Sequence, residues 1–124
     1  MRVLVIGASL KESRYSNMAI KMLKQYDHDV FAYGLKSGNV AGVTIDTHTA
    51  PYSMLDTVTL YLNKTRQKEY YDYIIGLNPN RVIFNPGTEN PEFYKLLETA
   101  NIFYEEACTL VLLQTDQFEE PVLD

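Results

Sequence analysis

The sequence predicts an α/β protein: a parallel sheet with helices packed on both of its faces. Three observations carry this expectation. Arg2 to Ile6 (RVLVI) is a continuously apolar, β-branched run, the pattern of a strand buried on both sides. Strand-like and helix-like segments then alternate along the chain, which implies parallel strands joined by right-handed crossovers. No internal repeat or low-complexity stretch interrupts that alternation.

Each element has a local reason. After the first strand comes a polar stretch, Gly7 to Arg14. Ser16 can then cap a helix with Met18, Ala19, Met22 and Leu23 on one face. Asp29 to Tyr33 (DVFAY) reads as a second strand stopped by Gly34, and Val43 to Ile45 as a short third. Thr57 to Leu62 (TVTLYL) is the fourth, followed by helical spacing from Lys64 to Ile75. Arg81 to Asn85 (RVIFN) is the fifth, ended by Pro86-Gly87. Asn90 to Ala100 reads as a helix with Pro91 in its first turn and Phe93, Leu96 and Leu97 on its apolar side. Ile102 to Tyr104 reads as a last strand, while Leu110 to Leu113 fits helix or strand.

These pieces assemble into a three-layer sheet of about five strands in the order 3-2-1-4-5. In such sheets a ligand sits beyond the carboxyl ends of the strands, where the strand order reverses. That crevice falls between the first strand and Thr57 to Leu62, so the loops of interest are 7–17, 33–42, 63–67 and 85–90.

Composition narrows the function classes. At 124 residues, with 46% hydrophobic and 22% charged residues, the chain has the size and balance of one globular domain spanning 1–124. A single cysteine makes no intramolecular disulfide, which fits a reducing, cytoplasmic setting. The runs Val3 to Ile6 and Leu110 to Leu113 fall far short of the roughly 20 apolar residues a membrane span needs. The start runs straight into a strand and leaves no room for a secretory signal. A net charge of −5 argues against nucleic acid, whose partners carry a basic face.

The first turn holds the densest set of candidates. Gly7-Ala8-Ser9 follows the first strand directly, and a glycine there lets the backbone approach a phosphate. Ser9, Ser13 and Ser16 add hydroxyls, and Lys11 and Arg14 add positive charge in an acidic chain. The alternative is a plain strand-to-helix loop. Stronger nucleotide motifs are missing: Gly7 stands alone where a dinucleotide fingerprint has three glycines, and no G-K-[ST] triplet occurs. After the second strand the chain continues Tyr33-Gly34-Leu35-Lys36, with no acid to hold a ribose diol. A lysine there suits a ligand with a phosphate on its ribose, as in coenzyme A (CoA) or the phosphorylated nicotinamide cofactor; a solvated loop lysine is the plain alternative.

Together these residues resemble the small CoA-binding protein family, a stand-alone Rossmann-like domain similar to the CoA-binding domain of succinyl-CoA ligase. Val5-Ile6-Gly7-Ala8-Ser9 and Arg14-Tyr15-Ser16 carry the first part of the likeness. Gly34-Leu35-Lys36-Ser37-Gly38 is similar to the ligase loop whose lysine contacts CoA. Leu60-Tyr61-Leu62-Asn63, Asn85-Pro86-Gly87 and Glu106-Ala107-Cys108 fall where the family has its later loops. Departures stand at Arg14-Tyr15-Ser16 and Asn63, where members commonly have proline, and in the apolar segment Thr109 to Leu113. The resemblance implies a small protein that binds CoA or acyl-CoA, without the second domain and subunit that ligation requires. Its implied contacts are Gly7, Ala8, Ser9, Arg14, Tyr15, Ser16, Tyr33, Lys36, Asn63, Asn85, Pro86 and Gly87, with Arg66 and Thr88 as further candidates.

Candidates for catalysis are sparse. His28, between Asp27 and Asp29, lies at the end of the sheet opposite the crevice, and His48 sits in Thr47-His48-Thr49. Both read as surface or loop histidines, and with one distant cysteine they lack metal-site spacing. Cys108 is read as inert, because free cysteine is among the most buried residue types; the alternative is a mixed disulfide with the CoA thiol. The ten tyrosines, including Tyr70, Tyr71 and Tyr73, read mainly as packing residues or a homodimer contact. The expectation is therefore a CoA-binding protein rather than an enzyme, with no metal. Two alternatives stay open: an oxidoreductase-like domain for the phosphorylated nicotinamide cofactor, and a degenerate domain that binds proteins.

Overall fold

Seven strands form one sheet in the order β3-β4-β2-β1-β5-β6-β7 in the computed structural model, which describes residues 1–119. Residues 120–124 of the expected domain span lie outside the described residues. The strands are β1 (Arg2–Ala8), β2 (Asp29–Gly34), β3 (Gly38–Val40), β4 (Val43–Asp46), β5 (Thr57–Leu60), β6 (Arg81–Phe84) and β7 (Phe103–Glu106). All neighbours pair in parallel except β3 and β4. The expected order of five strands is thus present; the last strand expected at Ile102 to Tyr104 is β7, beside β6, and only β3, outside β4, is added. The extra strand β3 arises because Ala41 and Gly42 both take positive φ (51° and 84°), which closes a two-residue hairpin turn. Asn39 Oδ1 accepts from the Gly42 amide at 3.0 Å and secures that turn.

Helices α1 (Tyr15–Gln25), α2 (Lys64–Gln67), α3 (Tyr71–Leu77), α4 (Pro91–Thr99) and α5 (Thr109–Gln114) complete the chain. Alternation along β1 divides the core between the two faces of the sheet. Leu4 and Ile6 pack with Tyr70, Ile74, Phe93 and Leu97 on one face. Val3 and Val5 pack with Ile20, Leu23 and Leu113 on the other. The central strands β1, β5 and β6 are therefore covered on both faces, while β3, β4 and β7 toward the edges keep exposed residues.

Several local expectations need correction. Ser16 does not cap α1: the N-cap is Arg14, which makes no side-chain cap, and Ser16 is buried in the first turn. Met18 is exposed, and Ile20 takes its place in the core because it shares the inward face with Ala19 and Leu23. Leu96 of α4 is likewise exposed, while Phe93 and Leu97 are buried. The helical stretch after β5 is broken by a 3₁₀ turn at Lys68–Tyr70, between α2 and α3. There the fully buried Gln67 donates through Nε2 to Leu62 O and Thr88 O, both at 2.8 Å, holding the chain to two strand-end loops. The ambiguous segment near Leu110 is helical, as α5. No helix among the described residues is long and apolar enough to cross a membrane.

Candidate functional site

The carboxyl ends of β1, β2, β5 and β6 open into a cleft of about 690 Å³, within the range of small-molecule sites. It lies at the point where the strand order reverses about β1. Three glycine contacts shape it. Gly7 takes φ +93° and interrupts the β1–β2 register between Ile6 and Ala8. A Cβ on Gly7 would stand 3.0 Å from the carbonyl carbon of Tyr61, so only glycine brings the first turn this close to the end of β5. At Gly34 a Cβ would meet the Ala8 carbonyl oxygen at 2.3 Å. At Gly38 it would meet Leu10 Cδ2 at 2.5 Å.

Backbone and side-chain bonds then fix the loop after Gly7. Ser9 Oγ accepts from the Lys11 amide at 3.1 Å, and the Arg14 amide donates to Lys11 O at 3.1 Å. Asn17, buried on α1, donates through Nδ2 to Ser9 O at 2.9 Å. The first-turn amides of an α-helix have no intrahelical acceptors, and no side chain caps α1 and no acid stands in its first turn. Free donors and the positive end of the helix dipole therefore face the cleft.

The charges lining this cleft are of one sign. Lys11, Arg14, Lys36 and Arg66 line it, and among the described residues no aspartate or glutamate does. None of these four cations pairs with a carboxylate among the described residues. That is the reverse of the whole chain, which carries −5. The opposite side of the cleft is uncharged apart from Arg66: Tyr61, Leu62, Asn63, Tyr70 and Pro86 to Thr88. A smaller hollow of about 390 Å³ beside α2 and α4 differs, since its Lys68 already pairs with Glu92 at 3.8 Å.

Of the sequence candidates, Gly7, Ala8, Ser9, Arg14, Tyr15, Ser16, Tyr33, Lys36, Asn63, Pro86 and Gly87 all line the cleft, as do Arg66 and Thr88. Asn85 does not. It is buried, its Nδ2 donates to Thr59 Oγ1 at 2.7 Å and to Leu60 O at 2.9 Å, and its Oδ1 accepts from the Thr109 amide at 2.9 Å. Those bonds tie β6 to β5 and α5 and occupy both ends of the amide. Asn63 has a second task, because its Oδ1 accepts from the Arg66 amide at 3.0 Å and caps α2.

Residues 1–114 match the family described as the CoA binding domain. The chain belongs to this family. Among solved structures, a crystal structure of an uncharacterized protein is similar, with 41% identity, TM-score 0.92, and coverage of 94% of this chain and 97% of that one. A Thermus thermophilus protein shares the fold at 18% identity and TM-score 0.83, covering 94% and 90% of the two chains. A conserved hypothetical protein from Pyrococcus furiosus shares it at 19% identity and TM-score 0.78, covering 89% and 97%. No curated protein matches the chain in sequence.

The cleft also holds pairings that the motifs do not announce. Tyr33 and Tyr70, from β2 and the 3₁₀ turn, meet in the cleft with their hydroxyls 2.8 Å apart. Burial pushes the Tyr70 phenol up to about 12, and the hydrogen bond with Tyr33 adds to the shift. Tyr61 also lines the cleft, and burial pushes it up to about 12. Its hydroxyl is buried beside those of Thr59 and Thr109 without a well-formed hydrogen bond among the described residues. The signal for these tyrosines was their place at strand ends and turns, but their pairing depends on the break after Gln67.

His28 lies in the loop between α1 and β2, at the expected end of the sheet, but it is buried and not a surface residue. Its Nδ1 lies 3.2 Å from the Met1 nitrogen and its ring edge meets Phe118 at 5.1 Å. His48 is exposed and Cys108 half-buried, and neither lines the cleft. Among the described residues, no group of three or more His, Cys, Asp or Glu is placed to hold a metal ion.

Proposed function

We propose that the protein binds CoA, free or acylated, in the cleft at the carboxyl ends of the sheet. The observation that carries this reading is the set of four cations around an uncapped helix start, unpaired and with no carboxylate beside them among the described residues. CoA bears a diphosphate and a separate ribose phosphate, so it needs positive charge at two places. In this reading the diphosphate lies on Gly7-Ala8-Ser9 and the first turn of α1, with Lys11 and Arg14 as counter-charges. Lys36 takes the ribose phosphate. The uncharged pantetheine arm runs along Tyr61 to Asn63 and Pro86 to Thr88, which offer apolar surface and hydrogen-bonding groups but little charge.

The role is binding rather than catalysis, since neither histidine nor the cysteine is among the lining residues. Family membership supports the ligand class, and the lack of a lining acid argues against a cofactor recognised through a bare ribose diol. Thermal-shift measurements with CoA, acetyl-CoA and both nicotinamide cofactors test the reading. Ligand at 100 times its dissociation constant stabilises a protein by about 2.7 kcal/mol. We expect that shift with CoA or acetyl-CoA. A shift with the phosphorylated nicotinamide cofactor alone would move the assignment to the oxidoreductase-like alternative, and no shift with any of them to a protein-binding role.

A further inference from the structure

We infer that the contact between Leu10 and Gly38 is a positioning device that sets where Lys36 stands relative to Lys11 and Arg14, and so determines which phosphate arrangement the cleft accepts. The inference rests on the CoA reading above and names a specificity determinant within it. Lys36 sits on the exposed span Leu35-Lys36-Ser37 between β2 and β3. The side chains of that span make no hydrogen bond among the described residues, so its ends must hold it. At one end Gly34 lies against the Ala8 carbonyl, with 2.3 Å from a Cβ position to that oxygen. At the other, Gly38 receives Leu10, whose Cδ2 and Cδ1 lie 2.5 and 2.9 Å from where a Cβ would be. Ala8 is the last residue of β1, and Leu10 lies in the loop that follows it and carries Lys11 and Arg14. The cation that faces one phosphate group is thereby tied, at both ends of its span, to the loop that faces the other.

Leu10 is 42% exposed although it is apolar. Its contribution to the core is therefore small, and what its contact orders is the two cation-bearing loops. Gly38 does not take positive φ, so alanine there adds one methyl group without backbone strain. The added carbon would push aside the end of a flexible, surface side chain, which folding tolerates but the loop spacing does not.

The test is calorimetric titration of the full chain with CoA and with 3′-dephospho-CoA. Wild-type protein is expected to prefer CoA by roughly tenfold, the scale of one charge-assisted contact. Gly38→Ala should keep its melting temperature within a few degrees, yet lose most of that preference through weaker CoA binding. Leu10→Ala, which removes the contact without adding an atom, should lose part of it. The double variant should exceed Gly38→Ala alone, because nothing remains for the methyl group to displace. An unchanged preference in a folded Gly38→Ala, or a double variant no better than the single one, would overturn the inference while leaving CoA binding intact. Wild-type protein that binds neither ligand would overturn the CoA reading itself, and this inference with it. Equal wild-type affinity for both ligands would overturn the inference, and with it the assignment of Lys36 to the ribose phosphate, while leaving CoA binding in the cleft intact.

Discussion

The two ends of the sheet handle positive charge in opposite ways. At the amino ends of the strands, Arg81 is buried and two of its three guanidinium nitrogens are met from within the fold, Nη2 having no hydrogen-bond partner among the described residues. Its Nε donates to Thr57 Oγ1 at 3.0 Å, its Nη1 pairs with Glu105 at 3.2 Å, and its guanidinium lies 4.5 Å from the Phe118 ring centre. Phe118 and His28 close over this end, with Glu119 3.7 Å from His28 Nε2. At the carboxyl ends, Lys11, Arg14, Lys36 and Arg66 line an open cleft without carboxylate partners among the described residues. A cation satisfied from within holds a fold together, whereas cations left facing each other across a cleft store affinity for an anion. The first end is built for stability and the second for a ligand.

Breaking the geometry of the open end should have the largest effect. Gly34→Ala forces a methyl group against a backbone oxygen that has no room to yield, and about 3 kcal/mol of stability should be lost. Gly42→Ala provides the contrast: nothing lies within 4 Å, but φ is +84°, so about 1 kcal/mol should be lost. Urea unfolding of both variants measures the difference. At the closed end, Arg81→Ala strands Glu105 and removes a side chain from Phe118. It should cost about 2 kcal/mol in the same assay while leaving CoA affinity unchanged.

The cleft cations should invert that result. Arg14→Ala and Lys36→Ala should each weaken CoA about five- to tenfold. Both are exposed and make no ion pair among the described residues, so stability without ligand should stay within about 0.5 kcal/mol of wild type.

The smallest expected effects are those of pH. Burial, then the Met1 amino group, lowers His28 from its usual 6.5, outweighing Glu119 and Asp56, which raise it, while Arg81 lowers it further. The folded protein thus prefers the neutral ring. Its stabilising share is complete above pH 6.5 and is lost as the pH falls below that value. Tyr61 and Tyr70 act in the other direction. Their folded values near 12 exceed the usual 10, so their share is complete below pH 10 and lost as the pH climbs toward 12. Unfolding free energy measured across pH should fall on both sides of a plateau, and His28→Gln should flatten the acid side alone.

How far the sequence reveals this contrast depends on whether a residue acts alone or through a distant partner. Gly7, Lys36 and Pro86 stand at or just beyond strand ends, and strand ends are visible in the hydrophobic pattern, so their place in the cleft is legible. The strand order follows from alternation and handedness. Gln67 is not legible, because it acts by joining the loops after β5 and β6, and nothing local marks it. Asn85 misleads for the same reason: its strand-end position suggests a ligand contact, but Thr59, Leu60 and Thr109 occupy its side chain. Gly34 and Gly38 stand out as glycines, yet their necessity is set by Ala8 and Leu10, which only the fold brings near. His28 reads as polar among aspartates and is buried by Phe118, nearly the whole chain away.

The most direct test of the contrast is a calorimetric comparison of wild-type protein with the variant in which Lys11, Arg14, Lys36 and Arg66 are all alanine. Saturable binding of one CoA per chain is predicted for the wild type, with loss of at least a thousandfold in a variant that folds as well as or better than its parent. Undiminished CoA binding by the variant, or no binding by the wild type, would contradict the assignment of the open end as the ligand site.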